Sequence, residues 1–349
     1  MNYLIGADIG TSSTKTVLFD ETGKPAASAS FFYEVKQPEN GWAEQDPEDW
    51  WQGVRQTMRE VIEKSGVNPE DIRGIGLSGQ MHGLVMLDAE GKVLRPSIIW
   101  CDQRTGAEAD WMTAHIGRKK LVEITGNPAI TGFTAAKLLW VKNHEPEIYA
   151  ACRHILLPKD YIRYRLTGEF ATEVSDASGM QLMDIRARGW SEEICGLLGV
   201  DMSILPKMYE SQDVTGTVTE KAAADTGLAA GTIVCGGAGD NPAAAIGTGV
   251  YREGRAFTTI GTSAVVYAVS DEIRIDRKGR VHSLCASVPG KWTVMSCTQA
   301  AGLSLQWLRN TVCTEEMRQA EETGEDVYNL MSKEAEGVPI GAGKLIYEP

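Results

Sequence analysis

At 349 residues the chain has room for two domains of ordinary size. Its 43% hydrophobic and 23% charged content is that of a globular protein with a substantial core. A net charge of −13 repels phosphodiester backbones and excludes nucleic acid as an expected partner, while leaving room for a phosphorylated small molecule held by backbone amides and a metal ion.

Residues 3–7 are apolar and short, and Asp8 interrupts them too early for a signal peptide. Gly10-Thr11-Ser12-Ser13 reads as a turn, and residues 16–19 return as a second strand. A further turn at residues 21–24 makes this a run of hairpins, unlike the strand-to-helix step of a Walker-type phosphate loop. Asp46-Pro47-Glu48-Asp49 predicts a helix start: a capping Asp, proline in the first turn, and acids at the positive end of the dipole. Trp51, Val54, Met58 and Val61 follow at helical spacing, and Gly66 closes the segment. Trp50 and Trp51 are assigned to the core side of that helix. Residues 72–78 form the next predicted strand, leading into Gly79-Gln80-Met81-His82-Gly83, and residues 84–87 form another. A short strand at 97–100 runs into Asp102-Gln103-Arg104, and the pattern to about residue 190 is mostly helical.

A second half opens near Gly236. The strand at 233–235 ends in a glycine-rich turn, 236–242, which holds Asp240 and Asn241; a helix of small residues follows at 243–246. Residues 257–269 then repeat the opening design of strand, glycine turn and strand. Ile-Gly-Thr-Ser stands at 9–12 and again at 260–263. Chance is one reading, since these residues are common in turns. Two related lobes is the other, favoured by the matching flanking strands. Residues 345–347 read as a strand just beginning. No apolar stretch nears the roughly 18 residues of a membrane helix. The seven cysteines are scattered without a CxxC pair, so zinc and redox-disulfide readings lack support and a reducing cytoplasm is expected. His115, His144, His154 and His282 show no metal-ligand spacing.

Two glycine turns facing each other across a cleft would clamp a polyphosphate, because glycine admits close approach and backbone N–H groups and hydroxyls point at phosphate oxygens. Thr11, Ser12 and Ser13 would serve on one side, Gly261 and Thr262 on the other, with Lys15 as a cation. Each turn alone is also an ordinary hairpin. Asp8 ends an apolar strand, and Asp240 follows three glycines. Each carboxylate is either a local cap or a group for metal binding or proton transfer. Asn241 offers a donor and an acceptor to a hydroxyl. Asp102 and Arg104 either pair with each other or reach a ligand.

Seven ordered motifs carry a resemblance: Asp8 to Ser13, Gly41 to Pro47, Ser78 to Gly83, Trp100 to Arg104, Leu157 to Tyr161, Ser175 to Gly179, and Gly239-Asp240-Asn241. In this order the chain resembles the FGGY carbohydrate kinases, and its Gln-Met-His-Gly loop resembles the xylulokinases among them; glycerol kinases carry an Arg-Glu pair in place of Met81 and His82. The resemblance implies an α/β, actin/hexokinase-like (ribonuclease H-like) fold of two lobes. Residues 1–245 would form the sugar-binding lobe and 246–349 part of the nucleotide-binding lobe. It implies ATP and Mg²⁺ as cofactors and phosphorylation of a ketose, D-xylulose foremost. Asp240 matches the family's general base; Met81 and His82 match the sugar-contacting pair. Trp100, Asp102 and Asn241 belong to motifs lining the same pocket. Asp8 matches the Mg²⁺ carboxylate, with Asp240 close to the metal. Thr11, Ser12, Ser13, Gly261 and Thr262 match the phosphate turns.

The family's glycine-rich adenosine loop has no counterpart here, so the second lobe is expected to be incomplete, with weak ATP affinity and exposed apolar surface. The expected partners are a small sugar and ATP, with no membrane and a homodimer as one arrangement. Competing expectations are another FGGY kinase, a noncatalytic sugar-binding fragment, and an actin- or Hsp70-like ATPase.

Overall fold

The computed structural model describes residues 1–298 and 300–347. The opening hairpins form three antiparallel strands, β1 (Tyr3–Ile9), β2 (Ser13–Asp20) and β3 (Pro25–Phe32). Alternation along the strands puts Ile5, Ala7, Ile9 and Leu18 in the core. They pack in one cluster with Trp50, Trp51, Val54, Met58 and Val61 of α1 (Pro47–Ser65). The ends of α1 follow from its sequence: the Asp46 side chain accepts the Glu48 N–H, and Gly66 stops the helix in the left-handed conformation. Between the packed faces, Thr16 and Thr57 share a buried hydrogen bond of 2.7 Å.

Strand β4 (Ile72–Gly79) lies parallel to β1. Strands β5 (Val214–Thr217) and β6 (Ile233–Cys235) extend the sheet, whose order is β5-β6-β4-β1-β2-β3. A two-residue strand, β7 (Ala238–Gly239), continues beyond β6 and pairs in parallel with the end of β4. The predominantly helical stretch includes α2 (Thr134–His144) and α3 (Pro158–Thr167), broken by short strands such as Ala171–Glu173. The strand expected at 97–100 is shorter, Ser97–Ile98, because the chain turns at Trp100 to enter the Asp102-Arg104 ion pair. Helix α4 (Asp240–Gly247) starts earlier than the sequence pattern suggested.

Contacts divide the chain into two units, Met1–Ala256 with Ala268–Val294, and Phe257–Tyr267 with Met295–Pro349. Strands β8 (Ala256–Ile260), β9 (Ala264–Ser270), β10 (His282–Cys285) and β11 (Trp292–Thr298) form a sheet of order β8-β9-β11-β10. Helices α5 (Gly302–Thr311), α6 (Thr314–Thr323) and α7 (Val327–Glu336) belong to the second unit, and neither α6 nor α7 has a buried residue. The strand expected at 345–347 does not form. Gly341, Ala342, Gly343 and Lys344 all have positive φ, which coils the chain just before it, and Tyr347 instead donates to the Ser304 carbonyl at 3.0 Å. The remainder of that terminal motif, Glu348-Pro349, lies outside the described residues. Among the described residues no helix is long and apolar enough to cross a membrane.

Candidate active site

Three neighbouring parallel strands end at the same edge of the first unit, where side chains beyond their carboxyl ends converge. Asp8, next to last in β1, is in register with Lys15 on β2 and Ser78 on β4. The Ser78 hydroxyl donates to Asp8 Oδ1 at 2.9 Å. On the other side of β4, Ala238 and Gly239 pair with Ser78 and Gly79, and Asp240 follows at once. Topology therefore brings Asp8 and Asp240 to the two sides of one strand end, although they lie 232 positions apart in the sequence. Below this edge runs a groove of about 720 Å³ lined by Asp8, Lys15, Ser78, Gly237, Ala243 and Ile246.

The sequence pattern put Asp240 in a turn; it is instead the first residue of α4, with Gly239 as the cap. Asp240 Oδ1 accepts the Asn241 backbone N–H at 2.6 Å and Asn241 Nδ2 at 2.9 Å. Oδ2 has no partner among the described residues. The helix start and the Asn241 donors favour the carboxylate form. They lose to burial, helped by the negative charge of Asp8, and the carboxyl is pushed up to about 6. Its surface stays open to solvent while protein surrounds it on most sides, as at a cleft floor. Asp8 is raised as well, by burial, against the pull of Ser78 and Lys15.

Met81 and His82 follow the end of β4. Met81 is buried against the backbone of Gly239: a Cβ there would lie 2.7 Å from its Cγ. His82 takes a φ of +69°, in the region that favours glycine. Its carbonyl accepts Thr134 Oγ1 at 3.1 Å and Lys137 Nζ at 2.8 Å, and its ring packs on Phe133 with centroids 4.5 Å apart. Burial holds the imidazole well below its usual pKa, hence neutral. Because Nδ1 faces the Gly179 carbonyl at 3.2 Å it must be the donor, which leaves Nε2 as an acceptor for a hydroxyl. Gly179 is required there, since a Cβ would stand 2.3 Å from the ring. Lys137 escaped the sequence reading because a lysine in a helix ordinarily marks a solvated face. Here its ammonium is fully buried and also donates to the Gly132 carbonyl at 2.7 Å.

Asp102 is 0% exposed, and both its oxygens are occupied. It accepts the Ala43 N–H at 2.6 Å and the Arg104 guanidinium at 2.7 Å, and Arg104 in turn lies over the Trp42 ring. Of the two fates open in the sequence, the structure adopts the ion pair. The Trp100 indole N–H donates to Thr11 Oγ1 at 2.9 Å, so it braces the glycine turn.

That turn is held through its carbonyls. Gly10 O accepts Tyr33 Oη at 2.7 Å and Gln80 Nε2 at 3.3 Å; Thr11 O accepts Gln45 Nε2 at 2.7 Å. Ser12 O accepts the Tyr33 N–H, and Ser13 O accepts the Gly10 N–H at 3.0 Å. The N–H groups of Thr11 and Ser12 donate to nothing among the described residues, so both are available to an acceptor. In the second unit, the Gly261 N–H closes on Ser263 O at 2.9 Å, one residue tighter than its counterpart. The Gly261 and Thr262 carbonyls accept N–H groups from residues 301–303 at the start of α5. The repeated tetrapeptides thus share a place between strands but not a packing environment: Ile9 is 0% exposed and Ile260 is 77% exposed.

Residues 3–247 match the model of the N-terminal domain of the FGGY family of carbohydrate kinases. The chain is 41% identical over 349 residues to the xylulose kinase of Bacillus subtilis (strain 168), covering 100% of this chain and 68% of that protein. It is 37% identical over 342 residues to the xylulose kinase of Escherichia coli (strain K12), covering 96% and 70%. The crystal structure of xylulose kinase from Rhodospirillum rubrum superposes with a TM-score of 0.90 at 32% identity, over 97% of this chain and 68% of that one. The gluconate kinase from Lactobacillus acidophilus also reaches 0.90, at 26% identity, over 99% and 68%. The chain thus spans about two thirds of the length of the proteins it matches, and their fold is the two-lobed, actin/hexokinase-like one. Motif order, strand topology and similarity along the whole chain agree: this chain belongs to the FGGY family of carbohydrate kinases.

Proposed function

We propose that the chain transfers the γ-phosphoryl group of ATP to the 5-hydroxyl of D-xylulose, giving D-xylulose 5-phosphate and ADP. The observation that carries this reading is the Asp240 carboxyl, raised to about 6 with Oδ2 uncommitted, following directly on the Gly239 backbone against which Met81 packs. A carboxylate of that pKa is ionised at neutral pH yet basic enough to take a hydroxyl proton, a contribution of roughly 10²–10⁴-fold. Asp240 accepts the proton as the sugar oxygen bonds to the γ-phosphorus and the bond to ADP breaks. Met81 walls the sugar site, and neutral His82 Nε2 accepts a second sugar hydroxyl. Asn241 fixes the base by holding Oδ1. The free N–H groups of Thr11 and Ser12, with Lys15, take up phosphate charge.

Asp8 and Asp240 are close enough for the charge of one to raise the pKa of the other, an arrangement that a hard cation relieves. These residues would suit Mg²⁺, a hard cation that prefers oxygen ligands. Asp8 would hold it, leaving Asp240 Oδ2 to the hydroxyl proton, and when bound it would neutralise charge on the transferring phosphate.

A coupled assay with Mg·ATP over D-xylulose, D-ribulose, glycerol and gluconate tests the assignment. Gluconate is included because of the structural match to a gluconate kinase. The expectation is preference for D-xylulose, reduced at least about 100-fold by Asp240→Asn. Absence of phosphorylation across the panel, or full activity in the Asn variant, refutes it.

A further inference from the structure

Behind the Asp240 end of the sheet lies a group of fully buried charged side chains that the proposed chemistry does not use. Lys159 Nζ stands 2.7 Å from Asp160, 3.2 Å from Glu173 and 3.2 Å from Asp176, and Arg163 stands 2.8 Å from Asp160; all five have 0% exposed side chains. Burying such charges is costly, and well-packed apolar residues often give equal or greater stability. What ions supply that apolar groups cannot is a set of directed donors and acceptors.

Those donors and acceptors reach the segment before Asp240. Arg163 donates to the Gly236 carbonyl and, at 2.7 Å, to the Ala171 carbonyl. Glu173 Oε2 accepts the Ser211 hydroxyl at 2.7 Å, and the Ser211 carbonyl accepts the Gly237 N–H at 2.9 Å. Glu173 Oε1 accepts the Ser175 hydroxyl at 2.9 Å, and Ser175 Oγ in turn faces the Gly239 N–H at 3.4 Å. Three of the four residues from 236 to 239 are therefore tied to the cluster, directly or through a serine. The same three are glycines, where a Cβ would come within 2.6 Å of Glu210 O, 2.1 Å of Leu77 O and 2.7 Å of Met81 Cγ. A segment this rich in glycine has large conformational entropy. Something must remove that freedom if the next residue is to hold a carboxylate in place.

We infer that Lys159, Arg163 and Glu173 are positioning residues, which act through Ser175 and Ser211 to fix the 236–239 segment and with it the Asp240 carboxylate. The inference rests on the assignment of Asp240 as the base. Lys159 binds the three acidic side chains together, and burial pushes Asp176 up to about 8, so that it keeps its proton at neutral pH. The cluster is then neutral, two cations against two carboxylates, and compatible with its burial.

Removing Lys159 or Glu173 risks unfolding, so the serines provide the test. In the Ser175→Ala/Ser211→Ala variant, hydrogen exchange across residues 236–247 should quicken about 10-fold while residues 3–20 stay unchanged. Turnover should fall roughly 10- to 100-fold with the ketose KM within about twofold, and Ser→Thr at both positions should restore it. Unchanged exchange at 236–247 overturns the tether. Faster exchange with unchanged turnover overturns the positioning role. A wild-type chain that phosphorylates no sugar refutes the kinase assignment instead, and the exchange result still decides the tether.

Discussion

Replacing Asp240 should make the protein more stable while, on the proposed function, it cuts turnover at least about 100-fold. Asp240 titrates near 6 instead of 3.8, so folding works against its ionisation. A shift of that size corresponds to roughly 3 kcal/mol. The side chain is open to solvent, and screening reduces the usable part to about 1 kcal/mol. The sign follows from linkage: between 3.8 and about 6 the folded state holds more protons than the unfolded chain, so stability falls as pH rises through that window and stays lower above it. Asp240→Asn keeps an oxygen to accept the two Asn241 donors and removes the charge that burial and the neighbouring Asp8 disfavour. Urea unfolding of both proteins at pH 4, 6 and 7.5 should give near-equal stabilities at pH 4 and an advantage of about 1 kcal/mol for the variant at pH 7.5. A variant equal to or less stable than wild type at pH 7.5 refutes the electrostatic account of this carboxyl.

Burial holds Lys137 down to about 7, so the folded state binds fewer protons than the unfolded chain above that pH. Thermal stability should therefore rise from pH 7 to 8.5 in wild type, and Lys137→Met should lose that rise and weaken ketose binding roughly 10-fold by calorimetry, through the freed His82 carbonyl. Asp102→Asn should cost about 3–5 kcal/mol in denaturant titration by leaving Arg104 buried with Glu44 as its remaining carboxylate, and should leave the ketose KM of the folded fraction unchanged. Gly237→Ala and Gly239→Ala should separate sharply. The first meets backbone, Leu77 O at 2.1 Å, with φ at +70°, and should prevent soluble expression. The second meets the flexible Met81 side chain and should cost about 1–3 kcal/mol while raising the ketose KM.

Local chemistry was legible where it is set by neighbours in the chain. The hairpins at 3–32, the start and stop of α1 and the core placement of Trp50 and Trp51 follow from alternation, capping and helical spacing, and all appear in the structure. The ordered motifs also led to the family. Short segments were harder to read: Asp240 opens a helix where three glycines suggested a turn, and the strand expected at 345–347 yields to four residues of positive φ.

Other features depend on partners distant in sequence. The sequence supplied Asp8, Ser78 and Asp240 as separate turn residues; the parallel pairing of β1, β4 and β7 made them neighbours. Burial fixes the neutral state of His82, the lowered pKa of Lys137 and the raised pKa of Asp240, and burial belongs to the packed whole. Asp102 could equally have faced a ligand until the fold placed Ala43 and Arg104 around it. Hydrogen bonding and desolvation act over a few ångströms of space, so a chain read in order discloses which groups are present, and folding decides which of them meet.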